Sequence, residues 1–346
     1  MRVAVIGVGL IGGSIGLAAS EHLNGAEVAG FDREPDVLTR ARDVGALDVT
    51  ADSVAEALEG AAACFLCAPV GALPALLEEA LAAAPDDCVV TDVGSTKRGI
   101  AAATSDERFI GGHPVAGSES SGVEQARADL FQGAAWYLTP GEASSGVLYE
   151  RLHGVIVALG AHPVAIDAET HDRILATVSH LPHVIANVLV SQAARAVSSE
   201  GEALPRVGPS FRDTTRVAGA SSSIWTDIYM ANGEAIAAEI DAYVEGLSSV
   251  ANSLRAGDAA AVERWNDEAR ESRRKLLEAD LAGGPVHELR VPVPNEPGIV
   301  AQLALALGRG GVNIADMALA PAPDYRSGSI TFWVSGDGAV ERAAAL

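Results

Sequence analysis

The sequence predicts an α/β protein: a doubly wound, mostly parallel sheet, followed by an all-helical domain and a small α+β module. Apolar strand candidates alternate with helical stretches as far as residue 167, and long helical periods with few β-branched runs occupy residues 168–282. The segment Ala282-Gly-Gly-Pro285 then breaks the helical pattern, and an alternating strand restarts at His287. We therefore expect domains at residues 1–167, 168–282 and 286–346.

Composition limits the classes of protein and partner. With 346 residues, 49% of them hydrophobic, the chain can fill two or three cores. A net charge of −22 argues against nucleic acid and anionic membranes as partners, because no basic tract neutralises phosphates. An anionic substrate must then be captured by local positive groups. Three cysteines make no disulfide framework, so we expect free thiols and a cytoplasmic location.

The first element is a strand, Arg2–Ile6, followed at once by a glycine turn and a helix. Gly7 lets the chain turn sharply, Gly9 lets the backbone approach a pyrophosphate, and Gly12 lets helix and strand pack closely. The pattern predicts a Rossmann-type dinucleotide site with the pyrophosphate at the helix N-terminus. Its expected cofactor-binding residues are Gly7, Gly9, Leu10, Ile11 and Gly12.

The alternative interpretation of this segment is a secretory signal. The repeated glycines would weaken the helix that a signal needs, so the nucleotide turn is favoured. We expect no other stretch to be long and apolar enough to span a bilayer.

The second strand, Glu27–Asp32, ends in an acidic residue at the distance expected for a dinucleotide site. Asp32 can accept hydrogen bonds from an adenosine ribose, and its charge disfavours a 2′-phosphate, so NAD is favoured over NADP. Arg33 could weaken that preference by pairing with a phosphate. Without a nucleotide site, Asp32 would be a solvated carboxylate at a strand end.

Five further strands are expected before residue 167, at Ala62–Ala68, Cys88–Val93, Phe109–Gly112, Ala134–Leu138 and Ala161–Ile166. In a doubly wound sheet, ligands bind beyond the carboxyl ends of the strands. The loops that follow these strands should therefore meet the glycine turn in one crevice. Ala68 and Pro69 belong to one of these loops and are expected to contact the cofactor.

Two of these loops carry candidates for chemistry. His113 follows two glycines, and the ordinary pKa of histidine suits it to take a proton from a hydroxyl as hydride leaves the same carbon. Ser95 could fix the tautomer of His113 through the second ring nitrogen. The alternatives are a histidine that caps a turn before proline and a serine that caps a helix.

The helix expected over Glu169–Val197 carries a polar stripe. At about 100° per residue its four members fall within roughly an 80° arc. The stripe either faces a polar cavity or pairs with protein groups, and a proline inside the helix favours the cavity. Zinc would lack a fourth ligand, so no metal is expected. The four residues are Asp172, His180, His183 and Asn187.

A cationic cluster follows at Phe211–Arg216. Arg212 and Arg216 could share a helical face, with Asp213 holding one of them, and an arginine is a natural bidentate clamp for a carboxylate. The alternative is a surface cluster of ion pairs at a helix start. Trp225 follows this segment.

In its motifs the chain resembles the prephenate dehydrogenases of tyrosine biosynthesis and the related arogenate dehydrogenases. The resemblance implies a homodimer that uses NAD to convert prephenate to 4-hydroxyphenylpyruvate, with arogenate as the alternative substrate. The motifs that carry it are Gly7–Ser14, Asp92–Lys97, His113–Glu119, His171-Asp172 with Ser179–His183, and Phe211–Arg216.

The resemblance also implies residue roles. His113 would take the proton of the ring hydroxyl while Ser95 orients it, and Arg216 would bind a substrate carboxylate. Other residues would line or gate the pocket: His183, His180, Glu119, Asp213 and Trp225.

The end of the chain resembles an ACT regulatory module, through its first strand, the turn Asn295–Gly298 and the segment Gly311–Asn313. The chain stops at 340–346, within the expected second helix, so the module is either truncated or completed by another subunit. Feedback by tyrosine is the hypothesis that follows.

Two other functions remain to be weighed. A β-hydroxyacid-type dehydrogenase would need a lysine in the first long helix, and 169–197 contains none. A non-catalytic amino-acid sensor is disfavoured because His113, Ser95 and Arg216 are all present.

Overall fold

A computed structural model describes residues 1–116, 121–198, 207–279, 286–294, 312–322, 327–335 and 338–345, with single positions 299, 303, 306, 307 and 310. The chain divides into two compact units, Met1–Tyr243 and Val244–Leu346. The expected domain limits near 167 and 282 remain predictions.

The first sheet has five parallel strands in the order β3-β2-β1-β4-β5. This order, with strand 1 at the centre, is that of a Rossmann-type sheet and confirms the predicted fold class. The expected strands lie within two residues of the observed ends, and only β3 is new, because a two-residue strand leaves no pattern. The strands are β1 Arg2–Ile6, β2 Glu27–Phe31, β3 Val49–Thr50, β4 Ala61–Leu66 and β5 Val89–Asp92.

The remaining strands form a separate sheet of three, β6 Ile110–Pro114, β7 Ala135–Pro140 and β8 His162–Ala165. Here β6 runs antiparallel to β7, and β7 runs parallel to β8. A single parallel bridge between Val90 and Phe109 links this sheet to the first. The strand alternation therefore predicted the strands but not the division into two sheets.

Helices cover both faces of the first sheet, as a doubly wound fold requires. Val3, Val5 and Phe65 contribute to one buried cluster, while Ala4, Ile6 and Cys64 contribute to the other, so side chains alternate along the strands. The helices of this region are α1 Leu10–His22, α2 Pro35–Asp43, α3 Val54–Leu58, α4 Leu73–Ala83, α5 Arg98–Ala101 and α6 Gly146–Ala158.

The helix expected over 169–197 is a continuous helical run with a widened turn in it. It consists of α7 Ala168–Leu175, a π turn at Ala176–His180 and α8 Leu181–Ser198. Pro182 lacks an N–H and its ring would clash with a carbonyl of the preceding turn, which accounts for the distortion that the sequence predicts.

The same run corrects the expectation about membrane spans. By length and composition, Ala168–Ala196 could cross a bilayer. A third of its most apolar 18-residue stretch is buried in the protein. Four buried polar side chains lie along the helical run: His171, Asp172, His180 and His183. These polar residues interrupt the apolar run, which is why the sequence did not suggest a span.

The helices that follow are α9 Pro209–Thr215, a 3₁₀ turn at Arg216–Gly219, α10 Ser222–Ala231, α11 Gly233–Ala256 and α12 Ala259–Ala279. The single helix expected over Ser223–Ala256 is therefore broken. The break is at Asn232, whose φ of −120° and ψ of 25° lie outside the helical range.

The end of the chain contains an antiparallel sheet in the order β10-β11-β9, formed by β9 Val286–Pro294, β10 Asn313–Pro321 and β11 Ser327–Ser335. Ile330, Phe332 and Val334 alternate along β11 and enter one buried cluster with helix α13, Ala339–Ala344. The expected turn Asn295–Gly298 and Gly311 lie outside the described residues. The likeness to an ACT module remains a prediction.

Candidate functional site

The glycine turn between β1 and α1 is shaped by close backbone contacts. Gly7 has a φ of +92°, and a Cβ there would lie 2.5 Å from the carbonyl oxygen of Cys67. A Cβ on Gly12 would overlap the carbonyl oxygen of Gly7, whereas a Cβ on Gly9 would meet no atom within 4 Å. The fold therefore requires the first and third glycines, and the second faces open space where a ligand can approach the backbone.

Two adjoining cavities open around this turn, with volumes of about 580 and 440 Å³. Asp32 and Gly7 line the larger cavity, and Ser95 and His113 line the smaller one. Every residue expected to bind the cofactor lines one or both: Gly7, Gly9, Leu10, Ile11, Gly12, Asp32, Ala68 and Pro69. The two cavities together fit an extended dinucleotide, and the expected placement of its ribose at Asp32 and of its reactive end at His113 stays a prediction.

Asp32 is held by backbone amides. Its Oδ2 accepts the N–H of Val8 at 2.8 Å, and its Oδ1 accepts the N–H of Glu34 at 3.0 Å. A carboxylate oxygen has a second lone pair, so each can also accept a ribose hydroxyl. Arg33 lines the same cavity.

His113 lies near the end of β6, and its Nδ1 is 2.9 Å from Nε2 of His171. Nδ1 of His171 is in turn 2.8 Å from Oδ1 of Asp172. The hydrogen bond that was expected between His113 and Ser95 does not occur among the described side chains. Ser95 and His113 nevertheless line one cavity, so a role for Ser95 beside the base stays a prediction.

Burial keeps the pKa of His113 well below its usual value, and His171, Lys97 and His180 lower it further. Burial alone would raise the pKa of Asp172. Hydrogen bonds from His171 and from the amides of Arg98 and Lys97 outweigh that effect, and the pKa of Asp172 lies below its usual value. At neutral pH the site therefore combines a neutral imidazole base with an ionised carboxylate behind it.

A buried ion pair that the sequence analysis missed supports the loop containing Ser95. The Lys97 ammonium contacts Oδ2 of Asp92, and both side chains are fully buried. Asp92 also accepts the N–H of Gly94 at 2.8 Å and that of Gly112 at 3.1 Å. Burial lowers the pKa of Lys97, while Asp92 opposes that shift. The pair joins this loop to the strand that carries His113.

A second group of polar rings lies on the π turn, α8 and α10. The ring of His183 stacks on Trp225 with centroids 3.5 Å apart, and its Nδ1 contacts the Tyr229 hydroxyl. His180 lies edge-on to Trp225, with centroids 6.0 Å apart. Burial lowers the pKa of His180 to about 4 and that of His183 below its usual value. The Nδ1 atoms of both histidines pair with protein groups, whereas their Nε2 atoms are buried with no described hydrogen-bond partner. The polar cavity expected beside this stripe stays a prediction.

The structure does not assign a role to the cationic cluster at Phe211–Arg216. Arg216 begins the 3₁₀ turn and is exposed, and Arg212 donates to the carbonyl of Val207 at 3.0 Å. Asp213 is exposed and, among the described contacts, makes no ion pair with Arg212. Glu119 lies outside the described residues. Their substrate-binding roles stay predictions.

Comparison with known proteins identifies the family. The model of the prephenate dehydrogenase nucleotide-binding domain matches residues 15–165, and that of the prephenate dehydrogenase dimerization domain matches residues 167–267. The chain is 31% identical to a prephenate dehydrogenase of Lactococcus lactis, over 88% of this chain and 86% of the relative. It is 29% identical to a prephenate dehydrogenase of Bacillus subtilis, over 99% and 94% respectively.

A solved structure agrees. Prephenate dehydrogenase from Aquifex aeolicus, in complex with hydroxyphenyl propionate and NAD+, matches with a TM-score of 0.75 and 27% identity, covering 80% of this chain and 98% of the Aquifex chain. The chain belongs to the prephenate dehydrogenase family.

Membership in the prephenate dehydrogenase family confirms the predicted enzyme class, a dehydrogenase, and the order of nucleotide-binding and helical parts. From the sequence, His171 was named only within a motif and given no role, while Asp172 was named there and in the polar stripe. The signal was present in the adjacent histidine and aspartate, but nothing in their spacing shows that they lie behind His113.

Proposed function

We propose that this member of the prephenate dehydrogenase family catalyses the NAD-dependent oxidative decarboxylation of prephenate to 4-hydroxyphenylpyruvate. The observation that carries the proposal is the neutral, buried His113 beside the dinucleotide turn, in a cavity that also contains Gly9 and Ser95. The Aquifex relative, crystallised with NAD+ and a hydroxyphenyl ligand, supports both the cofactor and the substrate class.

Because Nδ1 of His113 is occupied by His171, the ring offers Nε2 to the substrate. Nε2 takes the proton of the ring hydroxyl as the carbon that bears this hydroxyl loses hydride. Bound NAD supplies the hydride acceptor. The bond to the ring carboxylate breaks, CO₂ leaves, and its electron pair completes the aromatic ring. The phenolate oxygen that results takes the proton back from His113.

Binding and orientation of the substrate are assigned to the side chains that the resemblance to the family implies, of which Ser95 lines the cavity beside His113. Arg216 would hold a carboxylate of the substrate, since a guanidinium matches a carboxylate with two parallel hydrogen bonds. Ser95 would contact the reacting hydroxyl or Nε2 of His113, because Nδ1 is taken. The remaining wall is assigned to His180, His183, Trp225, Asp213 and Glu119.

Asp32 supports NAD as the cofactor. Its carboxylate is fixed by two backbone amides at the edge of the larger cavity, where it can accept ribose hydroxyls. The same negative charge would repel a 2′-phosphate, so NADP is the weaker cofactor.

The test is a steady-state assay with prephenate and with arogenate, each with NAD and NADP. We expect reduced nicotinamide to form fastest with prephenate and NAD, with CO₂ released in equal amount. If arogenate is turned over faster than prephenate, arogenate and not prephenate is the substrate. If neither compound is oxidised while NAD still binds, the proposed reaction is wrong.

A homodimer is proposed, and the match to the dimerization domain supports it. Helix α8 exposes Val188 and Val190, and α11 exposes Leu247 and Leu254, which are apolar side chains that an interface would bury. Sedimentation should give twice the chain mass of 35.3 kDa. A monomer at micromolar concentration would contradict it. We place the enzyme in the cytoplasm, in keeping with its free cysteines.

Regulation by tyrosine is proposed for the α+β module, whose three-stranded sheet and helix are in keeping with an ACT-like unit. Tyrosine at millimolar concentration should change turnover or raise the melting temperature, since a ligand that binds only the folded state stabilises it. The absence of both effects would exclude tyrosine as the effector.

A further inference from the structure

Two buried side chains, His171 and Asp172, stand behind the proposed base, and the steps above use only the contact of His171 with Nδ1 of His113. From Nδ1 of His113 the contacts run 2.9 Å to Nε2 of His171, and then 2.8 Å from Nδ1 of His171 to Oδ1 of Asp172. His171 and Asp172 are 0% and 1% exposed. The ring of His171 also packs edge-on against Tyr137, at an interplanar angle of 84°, so its orientation is fixed from a second side.

Both carboxylate oxygens and the backbone carbonyl of Asp172 are held by hydrogen bonds. Its two carboxylate oxygens accept the N–H groups of Lys97 at 2.6 Å and Arg98 at 2.9 Å. The Arg98 guanidinium lies 3.6 Å from Oδ2. The amide of Asn232 donates to the Asp172 carbonyl at 2.7 Å. The carboxylate can therefore neither turn away nor exchange partners without breaking several buried hydrogen bonds.

The chemistry of these groups sets the direction of each hydrogen bond. An ionised carboxylate only accepts, so the proton between Asp172 and His171 is on Nδ1 of His171. A neutral His171 then has a lone pair on Nε2, which must accept from Nδ1–H of His113. His113 is left with its own lone pair on Nε2. A cationic His171 would reverse the last bond and leave His113 with an Nε2–H that cannot accept a proton.

We propose that His171 and Asp172 are positioning residues that hold His113 as the Nδ1–H tautomer, with the lone pair of Nε2 available to the substrate hydroxyl. The inference rests on the proposed function. When His113 takes the proton, its Nδ1–H bond to His171 becomes charge-assisted, and the Asp172 carboxylate stabilises the new positive charge through the neutral ring between them. No proton passes to Asp172.

The direct test is ¹⁵N NMR of the histidine-labelled enzyme without substrate, with His113→Asn used to assign the signals. We expect His113 to show a protonated Nδ1 and an unprotonated Nε2. A His113 protonated at Nε2 would overturn the proposal. This measurement needs neither turnover nor a folded variant at position 171, so it fails or succeeds independently of the proposed reaction.

The kinetic test compares His171→Leu with His171→Gln. Leucine cannot accept from His113, so kcat should fall roughly 10²- to 10⁴-fold, with KM for prephenate and the affinity for NAD changed less than about threefold. Glutamine offers an amide oxygen that can accept from Nδ1–H. The kcat of His171→Gln should therefore be at least about tenfold higher than that of His171→Leu. The exposed His162, changed to Leu, serves as the control and should leave kcat unchanged.

The comparison of the two variants distinguishes a role of His171 in positioning His113 from a role in packing alone. If the leucine and glutamine variants are equally slow, or if the leucine variant turns over at the normal rate, His171 does not fix the base and the proposal is wrong. If prephenate is not a substrate at all, but His113 is the Nδ1–H tautomer, the proposed function fails while the tautomer assignment stands.

Discussion

At the level of single residues, the environment of His113 decides how it can act. Burial, then the neighbouring His171, Lys97 and His180, keeps the pKa of His113 well below its usual value of about 6.5. A lowered pKa means that the base form persists into acid solution. If its protonation limits the reaction, the acid limb of kcat/KM should lie below about pH 6.5.

The corresponding variant is His113→Asn. It should lower kcat by roughly 10²- to 10⁴-fold, because general-base catalysis contributes about that much. The dissociation constant for NAD, measured by fluorescence titration, should not change, since the proposed role of His113 is to contact the substrate hydroxyl. An unchanged rate, or an acid limb above pH 6.5 in the unaltered enzyme, would contradict the assignment of the base.

Asp32 should decide the choice of cofactor. In Asp32→Asn the side chain keeps its shape but loses its charge, so the repulsion of a 2′-phosphate disappears. We expect the preference for NAD over NADP, measured as the ratio of kcat/KM values, to fall about tenfold, equivalent to about 1.4 kcal/mol. Arg33→Ala is the matched variant and should weaken NADP alone. An unchanged ratio in Asp32→Asn would mean that Asp32 does not contact the ribose.

The sequence predicted such residues only where local position determines their role. Asp32 follows β2, and His113 lies near the end of β6, so both lie at strand ends, where α/β proteins bind ligands. The contact of His113 with His171 joins residues 58 apart in the chain, which no local pattern reveals. Lys97 was overlooked for a different reason: its partner Asp92 is near in sequence, but complete burial of the pair appears only after folding.

At the level of the element, the glycine turn between β1 and α1 offers a matched pair of substitutions. A Cβ on Gly9 would meet no protein atom within 4 Å, whereas a Cβ on Gly12 would overlap the carbonyl of Gly7. Gly9→Ala should keep its melting temperature and raise KM for NAD about tenfold or more, because the methyl group occupies the place of the pyrophosphate. Gly12→Ala should lower the melting temperature.

Calorimetry and NAD kinetics on both variants check this pair. If Gly9→Ala loses stability but keeps its KM for NAD, the open side of the turn is not the cofactor site. Equal stability of Gly12→Ala and the unaltered enzyme would show that the backbone can relax around the added methyl group.

The helices show what can be predicted from helical periodicity alone. The polar stripe was placed by assuming about 100° per residue, and the buried Asp172, His180 and His183 do follow one run. The π turn between them adds a residue to one turn, which the assumption does not include. The break at Asn232 was missed because apolar spacing continues through it, while the turn is set by a buried hydrogen bond to Asp172.

At the level of the whole molecule, two effects of acid oppose each other. The chain has a charge of −22 at neutral pH and a pI near 4.6, so acidification reduces its self-repulsion and favours the folded state. The buried histidines act in the opposite direction. Burial lowers the pKa of His113, His180 and His183, the value for His180 to about 4, whereas in the unfolded chain each lies near 6.5.

Below pH 6.5 the unfolded chain therefore binds more protons than the folded one, and stability falls as pH decreases. Each histidine contributes up to about 1.4 kcal/mol per pH unit between its unfolded and folded pKa values, so the loss from His180 continues to about pH 4. Above pH 6.5 both states are unprotonated and the contribution is constant. Because surface charges are screened at physiological salt, we expect the histidines to dominate.

Urea unfolding at pH 7.5, 6 and 5, followed by tryptophan fluorescence, measures whether the free energy of unfolding rises or falls with pH. The free energy of unfolding should fall from pH 6 to pH 5 in the unaltered protein. It should fall less in His180→Gln, which cannot titrate, while His162→Gln, at an exposed position, should follow the unaltered protein. A free energy that rises over this interval would mean that relief of charge repulsion outweighs the buried histidines.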